Sequence, residues 1–254
     1  MTSLQTVSSL ELITIHHRFC GPPGSANGGY ACGMLAGFID GIAEVTLLRP
    51  PPLDVPMDVD PRPDGEVHLL GDGEIIAKAT SASFDLEIPE APTWDEAREA
   101  SKSYSGFNDD NAFPTCFVCG PKRKAGDGLQ IFAGNLAGTD HLAAPWIPGA
   151  DLADENGFVK PEFIWSALDC PGGYAVIDRV KAPAVLGRMS AKIINPLRPG
   201  QPCIVMGWPI LSAKSKKSRK HFAATALFTE EGKLIGSAKA TWFVLDSAGF
   251  ESED

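Results

Sequence analysis

In LDCPGGYAVID, residues 168 to 178, a carboxylate, a thiol, a proline and two glycines stand just before an apolar run. The first N–H groups of a helix lack intrahelical partners and lie at the positive end of its dipole, so the amides of Gly172 and Gly173 are candidate donors to a carbonyl or oxyanion. Glycine also allows close approach of a ligand, although a glycine pair can simply start a helix against a crowded sheet. Asp169 is placed to act as a general base beside such a site, or only to cap the helix. Cys170 at a helix start would gain thiolate character. None of the five histidines (His16, His17, His68, His141, His221) has a local motif tying it to that thiol, so Cys170 is read as a small buried residue.

Two further groups carry chemistry. CFVCG, residues 116 to 120, is half of a zinc knuckle, but tetrahedral zinc takes four ligands and no second CxxC or HxxxH follows at a usable spacing. Cys20, Cys32, Cys170 and Cys203 complete such a site only through long-range folding, so the pair is read as a tight turn and no metal is assigned. The basic run KSKKSRKH, residues 214 to 221, falls between two expected strands. It reads as a solvated hairpin whose charges discourage edge pairing.

The elements that position these residues occur twice. GGYA at 28–31 recurs at 172–175, each copy followed by an apolar segment and then by a β-branched run ending near proline: AEVTLLRPPPLDVPMDV at 43–59 and GRMSAKIINPLRPGQPCIV at 187–205. GEIIAKATSASF at 73–84 then matches GKLIGSAKATWF at 232–243. Three matches in one order indicate an internal duplication. At the offset of 144 residues Asp169 falls opposite Ser25, and each is a good N-cap type. Alternate positions Leu234, Gly236, Ala238, Ala240, Trp242 and Val244 predict one apolar strand face. Between the halves, PTWDEAREASKSY at 92–104 has Thr93 and Glu96 at capping-box spacing, predicting an exposed connector helix. The polar, turn-rich stretch after it places a boundary near 105, with the second set of strands starting at Leu129.

Composition narrows the function. The 254-residue chain is 44% hydrophobic and 21% charged, with 26 glycines and 21 prolines, which favours short elements and turns over a helical bundle. A net charge of −10 disfavours a nucleic-acid partner. No apolar run approaches the roughly 20 residues needed to span a bilayer, and MTSLQTVSSLELIT lacks signal-peptide character. A cytoplasmic protein with free thiols is expected. Neither GxGxxG nor GxxxxGK[ST] occurs, which leaves dinucleotide redox chemistry and nucleotide hydrolysis without a motif.

SANGGYACGMLAGF at 25–38 and GKLIGSAKATWFVL at 232–245 resemble the helix start and final strand of type II acyl-CoA thioesterases and their thioesterase-like relatives. The resemblance implies an α+β, tandem (double) hotdog, with antiparallel sheets each wrapped around a short central helix. The N-terminal repeat with its connector would be 1–105 and the C-terminal repeat 106–254. It also implies an acyl-CoA or related thioester as substrate, with CoA part of that substrate and no separate cofactor, and a homo-oligomer with neither nucleic acid nor membrane insertion. Asp169 would orient the hydrolytic water, and Gly28 and Gly29 would be the counterparts of Gly172 and Gly173. Ser190 would supply a hydroxyl, and Lys216, Lys217 and Arg219 would hold CoA phosphates. The family's glutamine in the last strand is missing, with Lys239 or Thr241 in its neighbourhood. A noncatalytic acyl-CoA or acyl-ligand binding protein, and an interaction protein that kept only the fold, therefore remain as alternatives to the hydrolase.

Overall fold

The computed structural model describes residues 11–211 and 218–245. In the N-terminal half, short β-rich segments punctuated by Pro and Gly form β1 (Glu11–Thr14), β2 (Ala43–Leu47), β3 (Pro56–Pro61), β4 (Val67–Gly71) and β5 (Glu74–Ser81). In the C-terminal half they form β6 (Gly134–Asn135), β7 (Leu142–Trp146), β8 (Ala184–Ile193), β9 (Cys203–Ile210), β10 (Lys220–Thr229) and β11 (Leu234–Val244). The helices are α1 (Gly28–Ala36), α2 (Trp94–Ser101), α3 (Pro161–Ala167) and α4 (Cys170–Val180).

The sheet order is β1-β3-β4-β5-β2-β8-β11-β10-β9-β7-β6. From β1 and from β7 inward the two halves follow the same strand path, and they join where β2 pairs antiparallel with β8, Val45 opposite Met189. The two sheets anticipated from sequence are thus one continuous antiparallel sheet. The matched segments occupy matching places. The GGYA copies open α1 and lie in the first turns of α4, and the glycine-led copies become β5 and β11. The glycines before those strands are required by backbone geometry, since Gly73 and Gly232 have φ of 78° and 81°.

The main core lies between one sheet face and α1, α3 and α4, and it takes residues from both halves, among them Leu35, Val45, Leu168, Met189 and Trp242. Ala238, Ala240 and Trp242 share this face as the alternation requires. A register shift between Leu227 and Phe228, opposite Gly236 and Leu234, interrupts the pattern, so Leu234 packs with a second cluster instead.

Helix α2 has the full capping box between Thr93 and Glu96, as the spacing predicts. It is not an exposed connector. Ala97 and Ala100 are buried in the second cluster with Ala143, Ile204 and Met206 of the C-terminal half, so a helix assigned by sequence to the first repeat packs on the second. Two alanines facing inward sufficed, with Asp95, Arg98, Glu99 and Lys102 pairing on the solvent side. The stretch after it also departs from expectation. Phe113, Cys116, Phe117, Val118 and Cys119 are buried there, and the first strand of that half is β6 at Gly134, not a strand at Leu129.

Candidate active site at the helix starts

Asn27 is the N-cap of α1, its Oδ1 accepting the Tyr30 N–H at 2.9 Å. That bond orients the amide so that Nδ2 points the other way, where it donates to Asp169 Oδ2 at 2.9 Å. The same carboxylate oxygen accepts the Gly29 N–H at 2.9 Å. Asp169 therefore caps the first turn of α1, where a carboxylate complements the helix dipole. It makes no side-chain cap to its own helix α4. Ser25, its sequence counterpart, caps no helix, its Oγ lying 3.4 Å from both the Ala26 and Pro51 carbonyls, to one of which at a time it donates its single proton.

The joint is close. A Cβ on Gly29 would lie 2.5 Å from Asp169 Cβ and 2.7 Å from the Trp165 carbonyl oxygen, so glycine is what admits the carboxylate to the helix start. Asp169 is 3% exposed, and burial pushes its pKa up to about 7 against the opposing pull of the Gly29 and Asn27 donors. Its second oxygen, Oδ1, and Trp242 Nε1 are buried without a hydrogen-bond partner.

The Gly172 and Gly173 amides both donate to the main-chain carbonyl of Asp169, at 3.0 and 3.3 Å. Glycine at 173 follows from packing, because a Cβ there would meet the Trp242 ring at 2.8 Å, while at 172 the nearest atom would be Thr225 Cγ2 at 3.2 Å. Gly28 starts α1 against Leu186. Ser190 and Thr241 stand elsewhere. Trp242 faces α4, so by strand alternation Thr241 faces the opposite side, where it pairs in register with Arg188. Ser190 shares that side, and its Oγ donates to Glu44 Oε2 at 2.8 Å while Arg188 pairs with Glu44 Oε1 at 3.2 Å. The structure thus brings Asp169 together with Asn27 and Gly29, not with Ser190 or Thr241.

Of the basic run, residues 214–217, Lys216 and Lys217 among them, are outside the described residues, and Lys220 and His221 are not in a connection but open β10. Arg219 pairs with Val244 at the sheet end, its Nε donating to the Val244 carbonyl at 3.3 Å. A cavity of about 190 Å³ is bounded by Arg18, Phe117, Leu129, Trp146 and Asp151, and Asp169 does not line it. Cys170 is buried, and of the four cysteines that only long-range folding could add to the CFVCG pair it is the one that lies with Cys116 and Cys119 in one thiol cluster. The CxxC spacing was the available signal, but its third member comes from a distant helix start.

A short-helix layer on one antiparallel sheet makes this an α+β protein, and it shares its fold with a conserved protein of hot dog fold from Alicyclobacillus acidocaldarius, at 9% identity over 92% of each chain and a TM-score of 0.58. The chain is similar in structure to a candidate thioesterase from Novosphingobium aromaticivorans DSM 12444, at 15% identity over 92% of this chain and 95% of that chain, with a TM-score of 0.60. It is likewise similar to a candidate thioesterase II from Thermobifida fusca YX, at 13% identity over 92% of each chain and a TM-score of 0.60. The tesB protein of Mycobacterium avium subs paratuberculosis aligns at 13% identity over 94% and 96% of the two chains, with a TM-score of 0.56. No family model matches the chain, and no curated protein matches it in sequence. At these identities the likeness shows the fold. No helix among the described residues is long and apolar enough to cross a membrane.

Proposed function

We propose that this chain is a tandem hotdog protein that hydrolyses an acyl thioester, with Asp169 taking the proton of the attacking water. The observation that carries the reading is the carboxylate's place. One oxygen is held by Gly29 N–H and Asn27 Nδ2, and the other is buried without a partner at the junction of the two helix starts. A carboxylate fixed in this way has one oxygen committed to orientation and one left for a proton. When that proton arrives on Oδ1, Oδ2 becomes a carbonyl oxygen that still accepts the Gly29 N–H and the Asn27 amide, so the acid formed keeps its orientation for returning the proton to the leaving thiolate. The Gly172 and Gly173 amides are engaged with the Asp169 carbonyl and are not assigned to the oxyanion. The pKa near 7 supports the assignment, because a base is most effective when its pKa lies near the working pH. The thioester-related names of full-length structural neighbours agree with this substrate class. Acyl-CoA is the proposed substrate, with Arg219 and the neighbouring Lys216 and Lys217 supplying charge for its phosphates.

A noncatalytic acyl-ligand binding role is favoured by one observation: Asp169 is sealed from the 190 Å³ cavity at Phe117 and Trp146. A panel of acyl-CoA thioesters separates the readings. Hydrolysis releases free CoA thiol with multiple turnovers, while a binding protein retains the intact thioester and releases none. Neither turnover nor binding across the panel would remove both.

A further inference from the structure

The Sγ atoms of Cys116, Cys119 and Cys170 lie within 4.8 Å of one another, and those of Cys116 and Cys170 are 3.7 Å apart. Two belong to the CFVC turn and the third opens α4. The thioester reading uses none of them. All three are buried, with exposures of 3, 2 and 9%.

The spacing selects among the things that three thiols do. A disulfide has sulfurs about 2.05 Å apart, well inside what is seen. Sulfurs bound to one tetrahedral ion through bonds of about 2.3 Å stand about 3.8 Å from each other; the Cys116–Cys170 separation of 3.7 Å, which two thiols in S–H···S contact also take, already brings that pair to such an edge. Cysteines of a 4Fe–4S cluster bind different irons and so stand farther apart, and in a 2Fe–2S cluster only two of them share an iron, which leaves three mutually close sulfurs unexplained.

The surroundings are those of a metal thiolate as well. The Gly120 N–H closes the CFVC turn onto the Cys116 carbonyl at 2.8 Å. A Cβ on Gly120 would lie 2.5 Å from Cys116 N, so only glycine permits this return of the chain. From the other side Asn27 Nδ2 approaches the sulfurs of Cys116 and Cys170 at 3.8 Å each. Tyr104 Oη donates to the Cys119 carbonyl at 2.9 Å and fixes the far end of the turn. Donors of this kind hold ligand sulfurs in place and stabilise their charge.

We propose that Cys116, Cys119 and Cys170 bind one thiophilic divalent ion, zinc by preference, in a three-thiolate site with water in the fourth position. The cluster includes no fourth Cys, His, Asp or Glu among the described residues. Each zinc–sulfur bond forms as one S–H bond and one zinc–water bond break, the thiol proton and the water pass to solvent, and the metal keeps its oxidation state. Soft thiolates favour zinc over the hard divalent cations. The ion would tie the 116–120 turn to the start of α4, and through Asn27 to the cap of α1, so its effect is on stability whether or not the protein turns over a thioester.

The test uses the full chain, reduced, stripped of metal with a chelator and then titrated with Zn²⁺ or Co²⁺. The expected result is one ion per chain, a thiolate-to-cobalt charge-transfer band with strong tetrahedral visible bands, three of the six thiols shielded from a thiol reagent by zinc, and a higher melting temperature. Cys170→Ser should weaken zinc binding by about 100-fold or more, and Cys203→Ser, buried outside the cluster, should leave it intact. Circular dichroism of each variant separates loss of the ligand from loss of the fold, and the wild-type cobalt spectrum stands without any variant. Failure of folded, reduced wild type to bind zinc stoichiometrically or to give the cobalt bands would overturn the proposal. So would unchanged affinity in folded Cys170→Ser, or recovery of the cluster as a disulfide that excludes metal. Thioester turnover has no bearing on any of these readouts.

Discussion

Asp169 and Gly29 are 140 residues apart in sequence, and the carboxylate of one accepts the main-chain N–H of the other at 2.9 Å. The bond crosses from the start of α4 to the start of α1, so the two halves share their candidate site instead of each carrying its own. Three sequence features make it possible: an N-cap amide with a free end, a glycine in the first turn, and a carboxylate that leaves its own helix uncapped.

The closeness of that joint is open to a stability measurement. Gly29→Ala would put a methyl 2.5 Å from Asp169 Cβ and 2.7 Å from the Trp165 carbonyl oxygen, and both lie in well-packed surroundings. A loss of about 2 to 3 kcal/mol in denaturant unfolding is expected. A change within about 0.5 kcal/mol, typical of an open surface site, would mean that the helix starts do not meet this closely.

Burial of Asp169 also sets a pH dependence. Its pKa is raised from 3.8 in the free residue to about 7 in the folded chain, so the folded state keeps the proton that the unfolded state gives up. The stabilisation is complete below the unfolded pKa and is lost as pH rises through the folded one, by a total of about 4 kcal/mol. Asp169→Asn removes this group from the titration. Unfolding free energies at about pH 4 and about pH 8 should therefore fall more steeply with pH in the wild type than in the variant. Parallel pH profiles would show that the carboxylate is not held in a dry site.

The docking of α2 is testable through one helix with two faces. Thr93→Ala removes the reciprocal cap to Glu96 and should cost about 1 kcal/mol. Ala97→Asp places a charge among Ala143, Ile204 and Met206 and should cost several kcal/mol, or prevent folding. Equal, small losses in both variants would return α2 to the role of an exposed connector.

What could be read beforehand follows the range of the interaction. The glycine turns before β5 and β11, the Thr93–Glu96 box and the GGYA copy that opens α1 are local patterns and sit where they were expected, while the second GGYA copy lies two residues inside α4, which Cys170 opens. The alternation in β11 was legible for Ala238 to Trp242 and failed at Leu234, where a bulge shifts the register by a residue. Which face Ser190 takes depends on pairing with β2 and β11, which a single strand does not encode. The capping role of Asp169 was anticipated, but the helix it caps was not, because that depends on β2 and β8 joining the halves. The cysteine cluster was hidden for a like reason: CFVC announces two ligands, and the third is supplied by the approach of α4.

The most direct test of the thioester reading is the rate of CoA thiol release by Asp169→Asn, measured beside wild type on a substrate the wild type hydrolyses, with the fold of the variant checked by circular dichroism. Loss of the base should lower kcat by about 100-fold or more while the variant still binds the intact thioester. Turnover by the folded variant at the wild-type rate would contradict the assignment of Asp169.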